Sequence, residues 1–416
     1  MWIFEYAVQD INGVRKLQVF DLSFTVGTGM NGGGFTVTTT TDPLDYYYPQ
    51  KDSLHGWIKD ENETVVAFGV LTRTELDLPN SRKTMTFSGV QQLMRGAILT
   101  KHTIGTGTGI VTDGANKLDI KASSKLGVLG NIIKHVHDAI MLPFYFSRTQ
   151  TSGTTYSYPL YDGDFKVLAD VVSDYIEREN VPAIRWTYTR ANHQNDLHSF
   201  FETCDVNFTQ IAAQTESLKL PTKAIKNITP ISFDSSDTLK YACMKVSISD
   251  GDTQKTKYTW GSHFTGVGDA PLNTSGLVEG HDNVTDDATL IAYARERANQ
   301  YASAEMTVTL DQYTTAPYKQ SFTPANIGKV VSFPLILTDH DAFPKDNVVF
   351  VYGVVTEATF KNMDTVDLKL SNVQLQLDDV LDVATMAQQT ATPKTTLNLL
   401  NTLSNNLGSQ TVKPKS

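Results

Sequence analysis

Several short segments carry residues whose types and spacing could do chemistry. Gly105–Gly109 reads GTGTG, and a glycine-rich turn can turn backbone N–H groups toward a phosphate. It lacks the Gly-Lys-Ser/Thr ending and a strand–helix frame, so it reads as a loop. His135 and His137 stand two apart in a helical stretch, where i and i+2 side chains face different ways. A metal pair on a helix needs a spacing of three or four, and nothing in the pattern brings Asp138 or Asp164 to the same point. Asp339–Asp341 (DHD) and His281–Asp287 (HDNVTDD) place carboxylates around a histidine, and calcium favours loop oxygens. The calcium-loop spacing is absent, and solvated turns with helix capping account for both segments. No nucleophile elbow, zinc-protease or zinc-deaminase motif occurs, so no catalytic, cofactor or metal site is expected and the chain reads as a non-enzyme. Glycosidase carboxylates come from separate strands and leave no pattern in sequence, so spacing cannot exclude that class.

One further candidate is a contact site. Thr40–Gln50, TTDPLDYYYPQ, holds Tyr46, Tyr47 and Tyr48 between two prolines. Exposed tyrosines stack on sugars or anchor a protein contact. A proline-bounded loop covering the end of a β-barrel would use the same residues, and both readings stand.

Composition narrows the function classes. A chain of 416 residues suits two to four domains, and its net charge of −10 argues against nonspecific binding to nucleic acid or anionic lipid. Cys204 and Cys243 are too few for a disulfide framework or a four-cysteine zinc site and read as buried thiols, one near a presumed helix and one in a presumed strand. The start MWIFEYAVQD goes directly into charge and strand pattern, so no signal peptide is expected. No apolar run reaches the roughly 18 residues of a membrane span, so no membrane anchor is expected.

The elements that would position these residues read as follows. Residues 1–88 are β throughout, with strands at Ile3–Val8, Val14–Phe20, Gly34–Thr40, Leu54–Lys59, Thr64–Glu75 and Lys83–Ser88, and suggest a first barrel module. Residues 89–202 read as an α-rich insert: a helix capped at Ser88, a second at Leu126–Ile140, a third capped by Asp164 and one turn at Asp196–Thr203. Residues 203–285 mix strands (Lys240–Asp250, Lys255–Trp260) with a long loop at Gly261–Asn283. Residues 286–377 read as a second barrel module with a leading helix after Thr285 and strands at Glu305–Gln312 and Lys329–Phe333. A C-terminal helix and linker tail, 378–416, ends the chain. The fold class is α+β, mainly β, with two β-barrel modules and an α-containing inserted domain.

Asp346–Leu377 closes the second module as a long hairpin. Its first strand has almost no polar face, so both sides should be covered, most deeply at Phe350 and Val354. In the second, Val366, Leu368 and Leu370 alternate with polar residues, then the pattern slips by one and resumes at Val373 and Leu375. Such a slip is what a bulge produces, and bulges bend sheets toward closure.

The β-rich start, TMTFSGVQQLMRGAIL (Thr84–Leu99), the α/β insert and the late VYGVVTEATF…VDLKLSNVQLQ together resemble the hub or minor tail proteins at the tail tip of long-tailed bacteriophages. That group is related to contractile-tail baseplate hubs and to the N-terminal part of tail-associated lysins. The strongest correspondence is Phe87-Ser88-Gly89 leading into a helix with Leu93 and Arg95, followed by Gly353–Phe360. The resemblance implies a structural virion protein at the phage tail tip, with tail-tube-like barrels arranged as a homotrimeric, pseudo-six-fold ring. Implied partners are the distal tail protein or tail tube, the tape measure protein, and tip or fibre proteins, with DNA passing through the lumen without specific binding. The expected role is a hub that joins the tube to the receptor-binding tip and closes or gates the channel. A carbohydrate-binding module for host recognition is the alternative, and a cell-wall glycosidase or peptidase the third reading. No lysin domain is read after residue 377, so wall digestion by this chain is not expected.

Overall fold

The computed structural model describes residues 2–8, 14–41, 54–99, 110–113, 117–140, 142–146, 153–159, 166–178, 183–192, 202–212, 214–233, 243–250, 253–260, 278–280, 304–312, 320–336, 348–362 and 364–376. The N-terminal module runs β1 (Ile3–Val8), β2 (Arg15–Lys16), β3 (Val19–Gly27), β4 (Phe35–Thr40), β5 (Leu54–Lys59), β6 (Val65–Asp77) and β7 (Arg82–Gly89). The insert follows with α1 (Val90–Arg95), β8 (Ile98–Leu99), β9 (Ile110–Asp113), β10 (Lys117–Ala122), α2 (Lys125–Ile140), β11 (Tyr145–Phe146), β12 (Thr154–Pro159), β13 (Lys166–Val167), α3 (Leu168–Arg178), β14 (Ile184–Asn192) and β15 (Glu202–Gln210). Next come β16 (Leu218–Lys219), β17 (Ile225–Ile228), β18 (Ser232–Phe233), β19 (Cys243–Asp250), β20 (Thr253–Trp260) and β21 (Val278–Gly280). The chain then forms β22 (Ala304–Asp311), β23 (Val330–Ile336), β24 (Val348–Lys361) and β25 (Thr365–Gln376).

The two β modules are one sheet. A 14-stranded assembly has the path β17-β22-β25-β24-β3-β4-β7-β6-β5-β1-β2, and β16 and β23 branch from β24. Period-2 sequences explain its amphipathic faces: AEMTVTLD in β22 and FTVTTT in β4 bury every second residue. The buried sides merge into a single core that takes Trp2, Phe4, Phe35 and Phe87 from one module and Met306, Val308, Leu368 and Phe360 from the other. Phe24 stacks on Phe360 at 4.8 Å between ring centroids, and Trp2 meets both rings edge-on. Aromatic pairs of this kind add about 1 kcal/mol each beyond area burial.

A second core lies on the opposite face of the N-terminal strands. Strand β5, LHGWIK, is buried at every position: Ile58 enters the first core while Trp57 enters the second, with Phe68 of β6. The insert covers that second face. Leu129, Ile132, Ile133 and Val136 of α2, Val171 and Val172 of α3, and Ile184, Trp186, Val206 and Phe208 of β14–β15 fill it. The α2 stripe lies at the helical period read from sequence.

Several expectations change. The first helix starts at Val90, with Ser88 and Gly89 still in β7, and no side chain caps it. The third helix begins at Leu168, because Lys166–Val167 pairs with Ile98–Leu99 as a short ladder; Asp164 lies outside the described residues. Glu202 and Thr203 belong to β15 and not to a helical turn, so Cys204 sits in a strand. Val14–Phe20 is two pieces, because Arg15–Lys16 pairs with β1 as β2 while the chain from Val19 pairs with β4 as β3. The insert holds the strands β9, β10 and β12 as well as helices, and Val278–Gly280, inside the expected loop, pairs in parallel with Lys245–Ser247. The helix after Thr285 and the segment 378–416 lie outside the described residues.

Candidate assembly surface

Strand β24 makes the seam. Along one edge its first half pairs with β23, from Val330↔Val354 to Ile336↔Val348, and its second half pairs with β3, from Glu357↔Gly27 to Lys361↔Ser23. The switch occurs at two bulges against β25. Tyr352 faces Gln374 but Val354 faces Ser371, so β25 has an extra residue; Val355 faces Leu370 but Glu357 faces Lys369, so β24 then has one. The second bulge restores the register that the first shifts. Asn372 lies in the first with φ 53°, a conformation that asparagine tolerates better than most residues. The slip read from sequence at this point is that bulge.

The extra residue of the second bulge is Thr356. Its carbonyl accepts the Thr28 backbone N–H at 2.9 Å, so a group the ladder leaves unpaired is satisfied by the turn after β3. That turn also reaches the insert: Gly29 N–H donates to the Ile184 carbonyl at 2.9 Å, and Trp186 Nε1 donates to the Gly29 carbonyl at 2.6 Å. Beyond the other end of β24, the Asn362 N–H donates to the Leu22 carbonyl at 2.6 Å, and Leu22 N–H donates to Asn362 Oδ1 at 2.7 Å. Phe350, expected among the deepest residues, is only partly buried; Val351 and Val355 lie in the shared core and Tyr352 and Val354 in a separate cluster with Val330. Both faces of the first half of β24 are therefore covered, while its second half turns one face to solvent.

Opposite the shared core, the sheet presents a polar face that crosses the seam. Reading across cross-strand partners, Thr309, Asp367, Thr359 and Thr25 form one row, and Asp311, Thr365, Lys361, Ser23, Thr36, Thr86 and Arg73 another. Its cations are largely held by neighbouring carboxylates: Lys361–Asp367 at 2.6 Å, Lys369–Glu305 at 3.2 Å, Lys226–Asp311 at 2.5 Å and Arg73–Glu75 at 2.5 Å. With Glu357, Asp21 and Asp77 added, carboxylates outnumber cations on this face. Arg82 on this face stacks on Phe20, and a wall of short hydroxyls and mostly self-paired charges gives a polyanion little to grip.

The insert is pinned to the N-terminal module by Glu5. Its carboxylate is 3% exposed and holds Lys59 at 2.5 Å, Lys16 at 2.9 Å and Arg190 of β14 at 3.1 Å. Burial alone would raise its pKa, but hydrogen bonds and charge from Lys59 and Lys16 prevail and hold it below the ordinary carboxylate value. Arg190 also reaches Glu202 at 3.6 Å, and His55 Nδ1 lies 3.3 Å from the Glu202 carbonyl. A lone Glu in the apolar strand IFEYAV was the sequence signal for this cluster, and reading by motif missed it. Burial pushes up the Cys204 thiol, and burial likewise pushes up the Tyr188 phenol.

A cleft of about 440 Å³ opens where the insert meets both β modules, between the β5–β6 turn, β14 and residues 320–327. Its polar groups already hold structure together. Asp60 accepts the N–H groups of Asn62 and Thr64 at 2.9 Å each, and Arg185 donates to the Ala325 carbonyl at 2.8 Å. The arrangement reads as a joint between parts.

Tyr46, Tyr47, Tyr48, Gly105–Gly109, Asp164, Asp339–Asp341 and His281–Asp287 lie outside the described residues. His135 and His137 are both buried on α2, and His137 Nε2 bonds to the Phe144 carbonyl, which ties the helix to β11's approach. Among the described residues no group of three or more His, Cys, Asp and Glu could hold a metal ion, and no helix is long and apolar enough to cross a membrane.

The 43 kDa tail protein of prophage MuSo2 from Shewanella oneidensis is 11% identical with a TM-score of 0.46, over 88% of this chain and 97% of that one. This chain is similar to phage tail proteins. A tail protein from Neisseria meningitidis MC58 is 9% identical at TM-score 0.46, over 92% and 98% of the two chains. Prophage tail protein gp18 from Listeria monocytogenes EGD-e is 11% identical at TM-score 0.44, over 96% and 99%. No family model and no curated protein matches the chain.

Proposed function

We propose that this chain is a non-enzymatic hub subunit of a phage tail tip, a homotrimer that joins the tail tube to the distal apparatus and closes or gates the DNA channel. The observation that carries this reading is where the resembling segments fall. Phe87 stacks on Phe35 at 4.5 Å, and Gly89 lies against Gly33 and Gly34. Those glycines bond to Thr25, which faces Thr359 within Gly353–Phe360. Both segments therefore serve one structure, the seam that makes a continuous sheet from the two ends of the chain. In a trimer, 1–88 and 286–377 would alternate around a ring, with 89–202 decorating it. The acidic, self-paired face would line the lumen and let DNA slide. Partners would be tube, tape measure and tip or fibre proteins, and the location the tail tip of the virion.

Gold-labelled antibody to the purified chain, applied to phage particles that carry it, tests the placement. Label confined to the distal tail end is expected; label along the tube or on the capsid overturns it.

A further inference from the structure

We propose that the outer edge of β6, from Leu71 to Asp77, docks a second copy of this chain at that copy's β17; the inference rests on the trimer reading and adds the surface that makes it. Strand β6 overhangs its neighbour. Its pairing with β5 ends at Val70, while its pairing with β7 continues to Asp77. Beyond Val70 the other edge meets no strand among the described residues, and a row of unpaired backbone groups is a template for another strand.

The side chains there are uncovered on the core side too. Thr74 is exposed and Leu76 only partly buried, although their cross-strand neighbours Met85 and Lys83 are 0% and 2% exposed. Leu78, just past the strand, is 53% exposed. An edge strand whose partner is fully packed and whose own inward face is open lacks a cover.

The sheet closes its long side at β23, where β16 pairs with Val331 and Ser332. Along β23, the Gln214 side-chain amide takes both the Val330 N–H, at 2.8 Å, and the Val330 carbonyl, at 3.2 Å, and so mimics a neighbouring strand. Pro334 then removes a donor from the same strand. Among the described residues no such closure lies on β17, the far end of the sheet path, whose Ile225 and Ile228 are half-buried beside exposed Lys223 and Lys226. On the β6 overhang Glu75 pairs with Arg73, and on β17 Lys226 pairs with Asp311, so the opposite charges that the two edges offer each other are Asp77 and Lys223. Two different open edges on one sheet join head to tail, and a heterologous contact of that kind generates a ring when the rotation closes.

Glu75→Cys with Asn227→Cys, in the full chain under mild oxidation, tests the contact. A covalent trimer is expected that neither single variant nor the unmodified protein forms. A trimer by light scattering that gives no cross-link overturns this contact and leaves the hub reading in place. Monomer by light scattering overturns both. A covalent dimer from Glu75→Cys alone would show a symmetric edge pairing and overturn the head-to-tail contact. Slow amide exchange over 71–77 in monomer would put this chain's own residues 42–53 on the edge, and overturn it as well.

Discussion

The hydroxyls of Thr25 and Thr359 lie 3.1 Å apart across the seam, although the two residues are 334 positions apart in the chain. The core beneath them is aromatic, with Phe24 and Phe360 each no more than 1% exposed. Phe24→Ala is expected to lose about 3–5 kcal/mol in denaturant unfolding, the range for buried phenylalanines. Thr25→Val should cost only about 1 kcal/mol, the typical net worth of one hydrogen bond. Because the rings stack, the Phe24→Ala/Phe360→Ala pair should cost less than the sum of the singles. Strict additivity would mean that the modules do not share a core.

Gly89, the last residue of β7, and Gly96, just past α1, give a matched pair. A Cβ on Gly89 would lie 2.4 Å from the Gly34 backbone nitrogen, whereas one on Gly96 would meet only the Leu93 carbonyl oxygen at 3.5 Å. Gly89→Ala should therefore abolish soluble expression or cut the melting temperature sharply, and Gly96→Ala should leave it nearly unchanged. Thermal unfolding monitored by circular dichroism distinguishes them.

Asn372 carries the first bulge at φ 53°. Asn372→Gly is expected to be close to neutral, and Asn372→Val to cost about 1–2 kcal/mol, since a β-branched residue resists the left-handed region. Equal effects of the two in chemical denaturation would show that the side chain, 9% exposed, and not the backbone, sets this position.

The Glu5 cluster makes stability depend on acid. Its folded pKa is depressed, so the stabilisation is full above its ordinary value of 4.5 and is lost as pH falls through the folded value. Glu5→Gln should flatten the acid limb below pH 4.5 and, at neutral pH, cost about 3–5 kcal/mol by leaving the nearly buried Lys59 without its partner. Glu5→Met with Lys59→Met should be milder than either single change. Unfolding midpoints across pH report both effects.

Much of the fold was legible because burial imposes period 2 on strands. Ile3–Val8 and Leu54–Lys59, buried at nearly every position, owe their legible bounds instead to the turns that flank them. The bulge at Asn372 showed itself as a one-residue slip. Strands β9, β10 and β15 were not legible: β9 and β10 are short and adjacent to glycine-rich sequence, and β15 is set by its long pairing with β14. The seam escaped detection for a different reason. Pairing between Ser23–Gly27 and Glu357–Lys361 is a property of distant segments, and neither strand's own pattern names its neighbour. The Glu5 pin escaped likewise, because its cations come from β2, β5 and β14.

Light scattering of the purified full chain tests the central claim most directly. The account predicts the mass of three copies, retained on dilution into physiological salt. A single-copy mass at every concentration up to that of assembled tails would contradict it.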